Sequence, residues 1–227
     1  MQHLSRSIRS MVSTMHHLMD DIVQQEAQKR RSELEVLQSQ INPHFLYNAL
    51  EAIRTDALLA NCPDIAETTE ALATFFRYTI SNCQEYVTFS DELDNAENYF
   101  TIQRCRFGDK ISLELELENE RLLEVRMPKL ILQPLVENAV SHGLEGKLGH
   151  GTVRIIVENS DRTFFLRVRD DGVGMPDEQV ERLNAQFGGV GGADMTQPCG
   201  GIALRNVNSR IRLMFGEDYG LHLFSAA

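Results

Sequence analysis

Leu4, Ile8, Met11, Met15, Leu18 and Ile22 follow one another at intervals of four, three, four, three and four residues. That rhythm is a coiled-coil seam. A lone amphipathic helix of this length has nowhere to bury such a stripe. A plain solvated helix with a few methionines is the alternative, but the seam spans nearly three heptads. The start of the chain therefore calls for a partner, and a parallel homodimer is the simplest one. The rhythm lapses over the polar stretch Gln24 to Arg31 and resumes out of phase at Leu34, Leu37 and Ile41. Such a phase change alters supercoil winding locally.

Beyond the seam the helical texture continues. Residues 42–60 read as helix through Pro43, which removes a backbone hydrogen bond and bends the rod. Asn61 and Pro63 mark a turn, with Pro63 in the first turn of the next helix. That helix carries Ile65, Leu72, Phe75, Phe76 and Ile80. Two such helices from each of two chains make a four-helix dimer bundle. Ser90 reads as the N-cap of a further helix, with Asp91 and Glu92 suiting its dipole.

Near Lys110 the period changes. Ile111, Leu113, Leu115 and Leu117 alternate with Ser112, Glu114, Glu116 and Glu118, the mark of a half-buried strand. A helix follows from Pro128 to about Gly143, then strands over Val153–Glu158 and Phe164–Arg169 joined by a turn at Asn159–Arg162. A short helix spans Pro176–Gln186. After a glycine-rich stretch from Gly188 to Gly201 comes a helix from Ile202 to Phe215, then a strand from Leu221 to Phe224. The expectation is an α+β fold: a helical dimerisation bundle, then an α/β sandwich with helices on one face of a mixed sheet. The divisions fall at 1–33 for the seam, 34–108 for the paired helices and 109–227 for the sandwich.

Charge narrows the function. A net charge of -11 lacks the basic footprint that nucleic-acid binding requires. No apolar run approaches bilayer length, and the polar, Met-rich first twenty residues are not a signal peptide. Cys62, Cys83, Cys105 and Cys199 form no C-x-x-C pair, which argues against zinc and redox motifs. Unpaired thiols fit a reducing compartment.

Four stretches are candidates for chemistry. Asp170-Asp171-Gly172-Val173-Gly174 puts a carboxylate at a strand end, followed by glycines that let backbone approach a ligand. The carboxylate can accept from an exocyclic amine such as that of adenine, though a hairpin turn with a capping Asp fits equally. Asn138 and His142 share a helix face at i, i+4. An amide oxygen suits Mg²⁺ beside phosphate oxygens, and Glu137 next to it is a candidate proton acceptor. Taken alone, a buried Asn and a helix-terminal His also explain the pair. Gly188 to Gly201 runs into a helix N-terminus, where free N–H groups attract anions, and Arg205, Arg210 and Arg212 follow. Finally, His44 sits mid-helix beside Pro43, with Asn48 one turn on. A neutral imidazole is a competent nucleophile toward phosphorus, while a lone helical His is as readily a packed residue.

Together and in this order these elements resemble the sensor histidine kinases of the LytS/YesM-like group. Leu37 through Asn48 resembles the phosphoacceptor box, Glu97 through Phe107 the connecting helix, Leu132 through Gly143 the N-box, Asp170 to Gly174 the first glycine box, and Gly201 through Val207 the second. Residues 5–12 resemble the end of a HAMP relay helix. The resemblance implies a Bergerat-type (GHKL) ATP site. Asp170, Gly172 and Gly174 would receive adenine, Asn138 would hold Mg²⁺, and His142, Gly201, Ala203 and Leu204 would line the nucleotide site. His44 would take the γ-phosphoryl group and pass it to an aspartate of a response-regulator receiver domain, with Glu137 as base. Asn48 would position a water for phosphatase activity. The resemblance further implies the cytoplasmic portion of a protein anchored in the bacterial inner membrane, missing sensor and membrane segments at one end and an edge strand at the other. Ala203 stands where the family has glycine, and Phe45 where many histidine kinases have an acid. Two rivals follow: a GHKL ATPase without phosphohistidine, and a non-catalytic GHKL signalling dimer whose nucleotide binding Ala203 weakens.

Overall fold

A computed structural model describes residues 43–80, 85–160, 163–188 and 201–225. The seam at 4–22, its resumption at Leu34 to Ile41, any bend upstream of Pro43, and Gly189 through Gly200 lie outside the described residues. The chain divides into two compact units, residues 1–48 and 49–227.

Helix α1 is Pro43–Leu59 and α2 is Pro63–Ile80. Asn61 makes the turn between them with φ 55°, a left-handed conformation that Asn tolerates. Helix α3, Phe89–Phe107, lies antiparallel on α2. Thr68 Oγ1 meets Cys105 Sγ at 3.1 Å, the rings of Phe75 and Tyr99 stand 6.1 Å apart, and Tyr78 Oη reaches Glu92. Ser90 is not the cap of α3. Thr88 is: its Oγ1 accepts the Asp91 N–H at 3.2 Å, while the Thr88 N–H donates back to Asp91 Oδ2 at 2.8 Å. Phe89 is already helical and fully buried, so Ser90 falls inside the first turn.

Strand β1, Tyr86–Thr88, pairs antiparallel with β3, Arg126–Pro128, with Val87 opposite Met127. This ladder claims Pro128, which the sequence placed in a helix. Helix α4 therefore begins only at Leu132 and ends at Asn138. Pro134 is its third residue. Its missing N–H is one that a first turn leaves unpaired anyway, so it does not bend the helix. The expected helix then widens into a π-turn over Ala139–Leu144, where the Glu145 N–H donates to Val140 O at 3.0 Å.

The main sheet has the order β2-β4-β5. Strand β2, Ile111–Leu117, runs parallel to β4, Gly151–Ser160, which pairs antiparallel with β5, Thr163–Asp170. Alternate residues of β4, Val153, Ile155 and Val157, are fully buried. They meet Phe89 and Ala96 of α3, Leu132 and Val136 of α4, and Val207 of the last helix in one core. The helices thus cover one face of a mixed sheet, as the α+β expectation has it. Helix α5 is Asp177–Phe187 and α6 is Ile202–Phe215.

Leu221–Phe224 is not a strand. Side-chain amides hold it instead. Asn208 Oδ1 accepts the Leu221 N–H at 2.9 Å, and Asn184 both accepts from the Leu223 N–H at 2.9 Å and donates to Leu223 O at 2.8 Å. Two asparagines satisfy the backbone groups that a neighbouring strand would otherwise pair.

Candidate functional site

The site is built where the end of β5 meets the π-turn. Gly172 and Gly143 lie in backbone contact. A Cβ added to Gly172 would stand 2.1 Å from Gly143 O, and one added to Gly143 would stand 2.4 Å from Asp170 Oδ1. Only two residues without side chains can approach this closely. The Val173 N–H donates to Gly143 O at 3.0 Å and locks the contact. Gly174 continues the turn with φ 71°, in the left-handed region.

Asp170 is half-buried against this cradle. Its Oδ1 accepts the Gly172 N–H at 3.0 Å, and its Oδ2 accepts no hydrogen bond among the described residues. Asp171 points elsewhere. It pairs with Lys147 Nζ at 2.8 Å and accepts the Thr152 N–H at 2.8 Å. Burial pushes the Asp171 carboxyl up, but those two donors outweigh it and hold it below the usual carboxylate range. Of two adjacent carboxylates, one is committed to structure and the other leaves an oxygen without a hydrogen bond among the described residues.

Asn138 closes α4 and is half-buried, and its side-chain amide has no hydrogen-bond partner among the described residues. The widened turn after it rotates His142, which is exposed, away from the place a straight α-helix would give it. Glu137 is half-buried and accepts from Gln133 Nε2 at 2.8 Å. Beside it lies Tyr99. Burial chiefly raises its phenol pKa, with a further push from the charge on Glu137.

At the start of α6, Gly201 has φ 140° and its carbonyl accepts the Arg205 N–H at 2.8 Å. Ala203 is exposed, whereas the Leu204 side chain is buried in the packing of α6. What Leu204 can offer a phosphate is its first-turn backbone N–H. Two of the three arginines of α6 are spent on structure. Arg210 donates to Lys129 O, and Arg212 donates to Phe187 O at 2.6 Å and Glu217 O at 3.1 Å. His44 and Asn48 lie in the other unit. Both are exposed, and the Asn48 amide nitrogen stands 3.3 Å from His44 Nδ1, which orients the ring.

The donor set fits a magnesium nucleotide. The amide oxygen of Asn138 is a hard ligand of the kind Mg²⁺ takes alongside phosphate oxygens. Asp170 Oδ2 offers an acceptor to a base amine, and the glycine pair lets β5 and the π-turn meet backbone to backbone.

Residues 32–111 match the family model of histidine kinases, and residues 122–221 match that of the histidine kinase-, DNA gyrase B- and HSP90-like ATPases. The chain belongs to the sensor histidine kinase family. It is 35% identical to sensor histidine kinase YesM of Bacillus subtilis over 98% of this chain and 36% of that protein. It is 36% identical to sensor histidine kinase YpdA of Escherichia coli over 85% of this chain and 32% of that protein. Against the sensor protein LytS of Bacillus subtilis the identity is 30%, over 99% of this chain and 36% of the relative. The chain thus spans about a third of the length of these curated relatives. A solved histidine kinase domain from the blue-light activated kinase of Erythrobacter litoralis aligns with 74% of this chain and 83% of its own, at a TM-score of 0.39 and 12% identity. No helix among the described residues is long and apolar enough to cross a membrane.

Three features of this candidate site escaped the sequence. One is the Gly143–Gly172 contact, whose only signal was that both residues are glycine. Another is the division of labour between Asp170 and Asp171. The third is the pair of amides behind Glu137, which no local pattern announces.

Proposed function

We propose that this chain is the kinase portion of a two-component sensor, which transfers the γ-phosphoryl group of Mg-ATP to His44 and onward to a receiver-domain aspartate. The observation that carries this reading is the pair of uncommitted groups, Asp170 Oδ2 and the Asn138 amide, on the two segments that the Gly143–Gly172 backbone contact joins. Adenine would sit on Asp170, beside Gly172 and Gly174. Asn138 would hold Mg²⁺, which supplies charge neutralisation at the phosphates. The N-terminus of α6, with Gly201, Ala203 and the Leu204 N–H, would face the phosphate chain, with His142 at the rim. The imidazole of His44 attacks phosphorus, the bond to ADP breaks, and the ring proton passes to Glu137. Catalysis of this kind is mostly positioning and electrostatics.

A homodimer is the assembly this reading needs. Ile53, Leu58, Leu59 and Ile65 on α1 and α2 are at least half exposed, and a bundle partner would cover them. Anchoring in the bacterial inner membrane would come through segments that precede this chain in the whole protein, with this portion in the cytoplasm.

Incubation with Mg²⁺ and γ-labelled ATP tests the reading. The chain is expected to acquire acid-labile, base-stable label, and His44→Gln to acquire none. Equal labelling of both would remove His44 as acceptor. Phosphate release without label would make the chain an ATPase of the GHKL type, and absence of nucleotide binding would make it a non-catalytic dimer. In the same assay Asn138→Ala is expected to abolish Mg²⁺-dependent labelling, and unchanged labelling would refute its metal role.

A further inference from the structure

Two buried amides stand in line behind Glu137. Gln133 Nε2 donates to Glu137 Oε1 at 2.8 Å, and Gln133 Oε1 accepts from Asn95 Nδ2 at 2.6 Å. Gln133 lies one turn before Glu137 on α4, and Asn95 comes across from α3. Their residues are 7% and 3% exposed, so water does not supply alternative partners.

An amide has a donor end and an acceptor end, so one bond dictates the other. With its carbonyl held by Asn95, Gln133 must turn its NH₂ toward Glu137. Asn95 gives up something for this. Its Oδ1 is buried and accepts no hydrogen bond among the described residues. Flipping the Asn95 amide would not help, because Oδ1 would then face Gln133 Oε1, acceptor against acceptor. A buried carbonyl left unpaired is a cost that folded proteins rarely keep without use.

We propose that Asn95 and Gln133 are positioning residues, a relay that holds the Glu137 carboxylate in one orientation to receive the proton shed by the attacking imidazole. This rests on Glu137 being the proton acceptor of the proposed reaction. The relay touches neither nucleotide nor His44. It acts on the rate through Glu137 alone, since a misaimed base loses proton-transfer efficiency while substrate binding is untouched.

The test replaces both amides with apolar residues of similar shape, Asn95→Leu with Gln133→Met. Removing both partners together leaves little unsatisfied and spares the fold. The readout is loss of γ-phosphate from ATP, followed both as protein-bound label and as free phosphate. The paired variant is expected to lose the γ-phosphate about tenfold more slowly, less than the roughly 10²–10⁴-fold a general base contributes because Glu137 itself stays in place. Its KM for ATP should stay within about twofold. In a Glu137→Gln background the same pair should cost nothing further. A parental rate in the paired variant would overturn the relay, as would losses that multiply in the Glu137→Gln background. Release as free phosphate alone would overturn the kinase reading while still measuring the relay, and no loss of γ-phosphate from the parent would overturn both. An independent measurement needs no turnover. In the nucleotide-free chain the Gln133 side-chain NH₂ protons should exchange slowly with solvent by NMR, and fast exchange would refute the relay even if the paired variant failed to fold.

Discussion

Replacing Glu92 by alanine is expected to abolish cooperative folding of the unit that spans residues 49–227. Glu92 is fully buried, and its carboxylate works at a distance along the chain. Its Oε1 accepts the Leu130 N–H at 2.6 Å and the Tyr78 hydroxyl, and its Oε2 accepts the Ile131 and Leu132 N–H groups at 2.8 Å each. Those N–H groups lead into α4 and are the ones a helix start leaves without intrahelical partners. Leu130 also has φ 61°, and the carboxylate is what holds it there. An anion at a helix N-terminus is favourable in itself. Truncation leaves the buried Ile131 and Leu132 N–H groups and the part-buried Leu130 N–H unpaired, at about 1–3 kcal/mol each. The total, about 3–9 kcal/mol, rivals the whole stability of a domain. Urea titration followed by far-ultraviolet circular dichroism would show the loss directly. Glu92→Gln keeps an acceptor oxygen and should lose about half as much. Tyr78→Phe removes one bond and should cost about 1 kcal/mol. A Glu92→Ala midpoint within experimental error of the parent would refute this role.

The same residue shows where the sequence was legible and where it was not. Elements with a strong period of their own were read to within a residue or two. Strand β2 is Ile111–Leu117 as expected, β4 and β5 form the expected hairpin, and α6 is Ile202–Phe215. Each of these announces itself through side chains that alternate or recur locally. Glu92 was read only as an acid suited to the first turn of α3. It does lie there, but its backbone partners, Leu130, Ile131 and Leu132, are 38, 39 and 40 residues away, and no local pattern reports that. The three-residue ladder of β1 with β3 has the same origin, and it moved the start of α4 from Pro128 to Leu132. The N-cap error differs, because its signal was present. Thr88 and Asp91 stand at the spacing of a reciprocal cap, and a buried Phe89 between Thr88 and Ser90 marks the first helical residue. Arg210 and Arg212, noted only as following the glycine-rich stretch, are consumed by backbone carbonyls that only the folded chain brings near. The candidate site residues could be named from the sequence because each motif lies in a short stretch. What joins the motifs is a long-range contact between backbones, and the second large prediction bears on it.

Gly172→Ala is expected to eliminate nucleotide binding. The added methyl carbon would lie 2.1 Å from Gly143 O, 2.3 Å from Gly143 C and 2.5 Å from Gly143 Cα. All three are backbone atoms, so no rotamer change makes room and the two segments must move apart. Separation breaks the bond from the Val173 N–H to Gly143 O and withdraws the Gly172 N–H from Asp170 Oδ1. It also shifts the π-turn that follows Asn138 directly, so the Asp170 carboxylate and the Asn138 amide, proposed to read the base and to hold the metal, lose their common frame. Overpacking of this kind costs about 1–3 kcal/mol of stability, which a domain of ordinary stability survives. Binding suffers more, because both ends of the nucleotide are misplaced at once. A hundredfold loss of affinity is about 2.7 kcal/mol, and at least that is expected. Gly174→Ala supplies the contrast. Its backbone is left-handed with φ 71°, so alanine strains it by about 1–2 kcal/mol, while the Gly172–Gly143 contact itself gains no methyl. Titration calorimetry with Mg²⁺ and a non-hydrolysable ATP analogue separates the two. Gly172→Ala should show no measurable heat of binding, while Gly174→Ala should bind with reduced affinity. Parental affinity in Gly172→Ala would mean that the contact between β5 and the π-turn is packing alone, and that Asp170 and Asn138 do not serve one ligand.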